Sequence, residues 1–159
     1  MSGSYGIRPL ERDDTLELLR FYRSLPPWVV HWYDPFPGID EERIATHIGQ
    51  VAAGHAVSYV LCAPDDAIHG HAFVLAIDGD APVFGIGLCE AAIGRGHGRA
   101  LMHRVIDDVD DRGTPVVTLT VFRDNERARR LYETFGFFCT GDASCRSPGD
   151  SFAMRRLRP

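Results

Sequence analysis

The chain has 159 residues, 45% of them hydrophobic and 25% charged, with 17 basic against 22 acidic side chains, a net charge of −5 and a pI near 5.7. A chain of that length and composition reads as one globular domain that buries a core without disulfide or metal staples, and its acidity argues against a general nucleic-acid binder. No apolar run approaches the ~20 residues of a membrane span, and MSGSYGIRPLERDD lacks a charged segment followed by an apolar one, so the expectation is a cytoplasmic protein with neither nucleic-acid nor membrane partners.

In chain order, Tyr5 to Pro9 reads as a short first strand. Asp13 and Asp14 open a helix with Leu16, Leu19 and Tyr22 on its inner side, ending near Ser24. Leu25 to Gly38 carries four of the ten prolines and reads as a loop. Asp40 to Gly54 gives a second helix with Ile44, Ile48 and Val51 in the stripe. Three strand-like runs follow, Ala56 to Cys62, Ile68 to Ile77 and Pro82 to Cys89, separated by Asp-rich turn chemistry that predicts an antiparallel meander.

The pattern then changes. Gly94-Arg95-Gly96-His97-Gly98 leads into a helical stripe of Leu101, Met102, Val105, Ile106 and Val109 that stops at Gly113, and Pro115 to Val121 is the next strand. Strand, helix, strand predicts a parallel βαβ unit. Asn125 caps a further helix with Ala128, Leu131, Tyr132 and Phe135 inward and Gly136 as its stop, and Phe137 to Gly141 and Phe152 to Arg156 close the sheet. The whole is an α+β domain with a mixed, mostly antiparallel sheet, flanking helices and a central βαβ unit.

Two charge and ligand counts add to this. All 17 basic residues are Arg; residues 1–80 hold 5 Arg and 12 acids (net −7), and residues 81–159 hold 12 Arg and 10 acids (net +2). The first half therefore suits a cationic ligand and the second tolerates an anion. Cys62, Cys89, Cys139 and Cys145 show neither a CxxC pair nor zinc spacing, and the pair His69 and His71 lacks a third ligand nearby in sequence, so no metal is expected.

Three glycines at alternate positions between a strand's end and a helix's start let the backbone approach a ligand, while N–H groups at the helix start face an anion. A pyrophosphate fits, aided by Arg95 or Arg99. The spacing has no GK[ST] of a P-loop and is not the G-x-G-x-x-G of a dinucleotide turn.

Together with VFRDNERARRLYETFGF, this loop resembles the GNAT superfamily of acyl-CoA-dependent N-acetyltransferases. The family pattern Q/R-x-x-G-x-G/A, then N-x-x-A-x-x-L-Y-E-x-x-G-F, is met at Gly96 and Gly98 and at Asn125, Ala128, Leu131, Tyr132, Glu133, Gly136 and Phe137. The departure is Ile93, which stands where the family has Gln or Arg.

The resemblance implies a single domain over 1–159, with 1–80 mainly on the acceptor side and 81–159 mainly on the acyl-CoA side. It implies acetyl-CoA as cosubstrate, with no metal. Leu88, Cys89 and Glu90 would hold the pantetheine arm, Arg95, Gly96, His97, Gly98, Arg99 and Ala100 the pyrophosphate, and Asn125, Ala128 and Tyr132 the remaining wall. Tyr132 would protonate the leaving thiolate, a transfer uphill by about 2 kcal/mol from ordinary pKa values. Glu90 is the first candidate base, with His31, Asp34, His69, His71 or a water relay as others. Trp32, Tyr33 and Asp34 would hold the acceptor, expected to be a primary amine on a cationic small molecule or peptide, with Asp40, Glu41 and Glu42 adding negative charge. Homodimers are common in the family. The alternative is an acyl-CoA-binding sensor or interaction module of the same fold without turnover.

Overall fold

The computed structural model describes residues 3–159, which build a seven-stranded mixed sheet in the order β1-β2-β3-β4-β5-β7-β6. β1 (Gly6–Pro9), β2 (Val57–Cys62), β3 (Ile68–Leu75) and β4 (Val83–Leu88) form the antiparallel meander expected from the turn residues. β5 (Val116–Phe122) runs parallel to β4, while β7 (Ser151–Leu157) and β6 (Phe138–Ala143) continue antiparallel. Alternation along the strands feeds two cores. Val60 and Ile68 pack with α1 (Thr15–Ser24) and α3 (Glu41–Ala52) on one side. Leu61, Val74, Phe84 and Leu119 pack with α4 (His97–Asp111) and α5 (Glu126–Thr134) on the other.

Helix starts follow capping chemistry. The Asp40 side chain accepts from Arg43 N–H at 2.9 Å, with Glu41 and Glu42 in the first turn, where the helix dipole favours negative charge. Asn125 Oδ1 accepts from Ala128 N–H at 3.3 Å to begin α5. On α4, Leu101, Met102, Val105, Ile106 and Val109 are all buried, as their spacing requires.

Two expectations are corrected. The segment read as a plain loop contains α2 (Pro27–Trp32), six residues opened by a proline at the first helical position, where a missing N–H costs nothing. Leu16 is not an inner residue: it is 62% exposed, while Leu18, Leu19, Phe21 and Tyr22 are buried. Two residues before Leu18 is about 200° round a helix, so a face centred on Leu18 and Tyr22 turns Leu16 outward.

Between β4 and β5 the ladder has one residue pair, Val83 opposite Thr118, beyond which the strands diverge. At that joint Pro82 O accepts from both Thr118 N–H (2.8 Å) and Thr118 Oγ1 (2.9 Å). Elsewhere the frame is braced by charge. Arg156, 7% exposed, makes a bidentate pair with Asp110 and also donates to Phe135 O.

Arg8 likewise grips buried Asp14 through two bonds of 2.7 and 2.8 Å, and Glu11 N–H adds a third. Burial opposes charge on Asp14, but these donors outweigh it and hold the carboxyl below its ordinary pKa. The resulting stability is present above the unfolded carboxyl value near 3.9 and is lost as pH falls through the lower folded value. Melting curves between pH 5 and pH 2.5 should therefore show Asp14→Asn less stable at the upper end and less acid-sensitive than the parent. Parallel curves would show that Asp14 does not contribute.

Candidate active site

A cleft of about 1290 Å³ opens where β4 and β5 part. One end is the glycine loop. Gly94 and Gly96 sit at φ +82° and +83°, a left-handed region open to glycine, and Gly96 serves as the N-cap of α4 without a side-chain hydrogen bond. The first intrahelical bond of α4 from the cap runs from Ala100 N–H to Gly96 O at 3.2 Å, so the amides of His97, Gly98 and Arg99 precede it and lack an intrahelical acceptor. No acidic side chain stands in this first turn. Arg99 lines the cleft, as do Arg127 and Arg130 from α5. Amides aligned with a helix dipole and framed by guanidinium groups suit a multiply charged anion such as a pyrophosphate.

Tyr132 of α5 is buried, with its ring against Phe84 (5.9 Å) and Phe137 (6.1 Å), yet it borders the cleft. Burial pushes its pKa above the ordinary phenol value, which makes it a weaker acid and keeps it protonated at neutral pH.

The far wall comes from α2 and the residues after it. Tyr33 ends α2 and lies flat against β4 at Gly87: a Cβ there would fall 2.0 Å from the Tyr33 ring. Glycine at 87 is thus what admits the ring. The Tyr33 hydroxyl meets Tyr22 Oη at 2.5 Å. Trp32 is partly exposed and donates from Nε1 to Asp124 at 3.0 Å, and Asp34 also borders the cleft.

Of the residues expected to hold acyl-CoA, Leu88, Gly96, Gly98, Arg99, Asn125, Ala128 and Tyr132 border this one cleft, and so do the expected acceptor residues Trp32, Tyr33 and Asp34. The other five do not line it. Cys89 follows β4 with its N–H on His69 O, and Glu90 is exposed in the 3-10 turn that comes next. Arg95 and Ala100 are exposed beside the loop, and His97 packs on Tyr5 at 4.4 Å. Among the candidate bases, Asp34 alone borders the cleft. His31 is exposed near its mouth, 3.5 Å from Asp124; His69 bonds Tyr5; His71 is fully buried. Among the described residues no group of three or more His, Cys, Asp or Glu is arranged to hold a metal ion.

Nothing in the sequence pattern signals the roof of the cleft. The β6–β7 connection crosses to α2: Arg146 donates to Val30 O at 2.9 Å, meets His31 Nδ1 at 3.2 Å and lies over Phe122. Asp150 fixes that connection by accepting from the N–H groups of Cys145, Arg146 and Ser147. These backbone donors hold its carboxyl well below the usual range. The turn residues Ser147-Pro148-Gly149-Asp150 indicate a tight loop, but nothing in their spacing names α2 as its partner.

A chain with this wedge, loop and tyrosine can be placed by comparison. The model of the acetyltransferase (GNAT) family matches residues 13–137, and the chain belongs to that family. Over 72 residues it is 42% identical to the mycothiol acetyltransferase of Beutenbergia cavernae, a match covering 45% of this chain and 20% of that protein. The chain thus spans about one fifth of the length of that curated relative. Its fold is similar to a ribosomal-protein-S5-alanine acetyltransferase from Vibrio fischeri, with TM-score 0.82, 14% identity, and coverage of 99% of this chain and 95% of that one. A GNAT-family acetyltransferase from Streptococcus pneumoniae gives TM-score 0.81 at 19% identity, over 98% and 100% of the two chains. The spermidine N-acetyltransferase of Vibrio cholerae, solved in complex with CoA and spermine, gives 0.75 at 19% identity, over 97% and 95%.

Proposed function

We propose that the protein is an acetyl-CoA-dependent N-acetyltransferase acting on a primary amine, with 1–80 mainly forming the acceptor side and 81–159 the acyl-CoA side. The observation that carries this reading is the pairing of an anion cradle at the start of α4 with a protonated Tyr132 on one continuous cleft wall. The residues present fit acetyl-CoA. The amides of His97, Gly98 and Arg99, with Arg99 and Arg127 near them, take the pyrophosphate, and the divergence of β4 and β5 admits an extended arm beside Leu88. Bound there, acetyl-CoA supplies an activated acyl group and a thiolate leaving group.

The acceptor enters beneath α2, and its amine must be neutral to attack. Asp34 and Asp124 supply negative charge at that end, which draws a cationic amine. The acids expected to assist them do other work: Asp40 caps α3, and Glu41 and Glu42 occupy its first turn. Electrostatic selectivity therefore rests on the acids that line the cleft, Asp34 and Asp124 with Glu126. Glu90 is exposed and does not line the cleft, so the proton lost by the amine is assigned to Asp34 or to water rather than to Glu90. Tyr132 donates a hydrogen bond to the sulfur as the C–S bond breaks.

The test is an acetyl-transfer screen with free-thiol readout across peptide N-termini, polyamines, amino acids and aminoglycoside-like amines, run beside a thermal-shift titration with acetyl-CoA. Thiol release that depends on one cationic class is expected. Stabilisation by acetyl-CoA without thiol release on any amine would favour a binding module, and a preference for anionic acceptors would remove the role of Asp34 and Asp124.

A further inference from the structure

Behind the acceptor wall lies an unbroken run of buried polar side chains. Tyr33 Oη meets Tyr22 Oη at 2.5 Å, and Tyr22 Oη meets His71 Nδ1 at 2.6 Å. His71 Nε2 meets Ser58 Oγ at 2.6 Å, and Ser58 Oγ meets His47 Nε2 at 3.1 Å. The strand register explains the alignment. His71 stands opposite Gly87, against which Tyr33 packs, and Ser58 stands opposite Phe73 on the same face. At its inner end His47 lies among the rings of Phe36, Phe73 and His71, and its Nδ1 is buried with no hydrogen-bond partner among the described residues.

The direction of this run is decided by proton counting. His71 and His47 are neutral, because burial disfavours their charged forms. Five groups with one exchangeable proton each then share four hydrogen bonds, and a neutral imidazole bonded at both nitrogens must accept at one and donate at the other. A Tyr22 or Ser58 hydroxyl that accepted twice would leave its own proton buried without an acceptor, so all four bonds point the same way and one proton is left over at an end. Left on His47 Nδ1, it would be an N–H buried among aromatic rings without an acceptor, the costlier kind of orphan. Left on Tyr33, it belongs to a residue that lines the cleft, where a ligand or water can receive it.

We propose that the chain His47→Ser58→His71→Tyr22→Tyr33 is polarised outward, making the Tyr33 hydroxyl a fixed hydrogen-bond donor to the oxygen of the acetyl carbonyl under attack. This rests on the acetyltransferase reading. As the amine nitrogen bonds to the carbonyl carbon, the π electron pair moves to oxygen, where Tyr33 meets it. When the C–S bond breaks, the pair returns, sulfur leaves with the bonding electrons, and the amine proton passes to Asp34 or water. Tyr33 keeps its proton throughout, consistent with burial raising its pKa. Because Tyr33 accepts from Tyr22 while it donates, each bond polarises the next and strengthens the terminal donor. The Tyr33 hydroxyl is then neither the base nor a hydrogen-bond donor to an ammonium group, which has no lone pair to receive its hydrogen. Tyr22, His71, Ser58 and His47 are positioning residues.

Nitrogen-15 NMR of the histidine rings in the unmodified protein tests the polarity without any substrate. Protonation of His71 at Nδ1 and of His47 at Nε2 is expected; His71 protonated at Nε2 overturns the proposal. The infrared stretch of carbonyl-labelled acetyl-CoA bound without acceptor tests the ligand. It should lie below the value for free acetyl-CoA and move back toward it in Tyr33→Phe, with the dissociation constant within about twofold; a stretch unaffected by Tyr33→Phe overturns the carbonyl assignment. With an acceptor from the screen, Tyr33→Phe should lower kcat about 100-fold. Ser58→Ala should mix the His71 tautomers and lower kcat with KM for acetyl-CoA unchanged, whereas a purely structural serine would leave the tautomer as it was and would overturn the positioning role. If the unmodified protein does not bind acetyl-CoA, the acetyltransferase reading and the carbonyl assignment fall together, and the tautomers still decide the polarity.

Discussion

Replacing Tyr132 with phenylalanine should lower the rate of acetyl transfer about 100-fold while leaving acetyl-CoA affinity within about twofold. The ring is held between Phe84 and Phe137, so losing the hydroxyl leaves the packing in place. Among the described residues that hydroxyl makes no hydrogen bond to the protein, so no protein acceptor loses its partner. In the proposed mechanism what is lost is a donor to the departing sulfur. With ordinary pKa values, complete transfer from phenol to thiolate is uphill by about 2 kcal/mol. Burial of Tyr132 widens that gap, which makes the useful event a hydrogen bond at the transition state rather than a completed transfer in the ground state. The pH profile of kcat should accordingly show no loss of activity from Tyr132 ionisation below pH 10. An unchanged kcat in Tyr132→Phe would remove the role assigned to it.

The second large effect is expected at Gly87. An alanine there would place Cβ 2.0 Å from one ring carbon of Tyr33 and 2.1 Å from another, so either the ring or β4 must move. Overpacking of this kind costs about 1–3 kcal/mol, and displacement of Tyr33 also breaks its bond to Tyr22. Gly87→Ala should therefore lower the urea midpoint and reduce kcat/KM for the acceptor at least tenfold. Gly49→Ala in α3 is the control. A Cβ there has nothing within 4 Å, and alanine suits a helix better than glycine, so its stability should be equal or higher. Equal behaviour of the two variants would show that Tyr33 is not held by its contact with β4.

The legibility of the chain varied with the length scale over which each signal acts. The stripe from Leu101 to Val109 and the run from Asn125 to Phe137 are local patterns with strong periodicity and end signals, and they placed α4, α5 and the loop between β4 and α4 correctly. Pro26 and Pro27 concealed α2, because two prolines mark a loop unless one of them opens a helix. The charge of the first half is a sum over residues with different work. Asp14 is taken by Arg8 and Asp40 by a helix start, and the acids that line the cleft are Asp34 from the first half and Asp124 and Glu126 from the second. His71 illustrates the limit most clearly: its identity is plain in the sequence, but its partners Tyr22 and Ser58 lie 49 and 13 residues away and meet it only through the packing of α1 on the sheet and the pairing of β2 with β3.

The single Val83–Thr118 rung has a consequence for how the molecule unfolds. It divides the sheet into β1–β4 and β5–β7, two blocks whose lateral link is one residue pair and the Pro82 carbonyl. Most of their cooperativity must then pass through α4 and the shared core beneath it, in which Val105, Phe84 and Leu119 are members. A ligand seated between the blocks becomes a second coupling element, adding about 2.7 kcal/mol at a concentration one hundred times its dissociation constant. Acetyl-CoA would thus govern not only the chemistry of the cleft but whether the two blocks melt as one unit, and amide exchange along β4 and β5 would slow together as it binds.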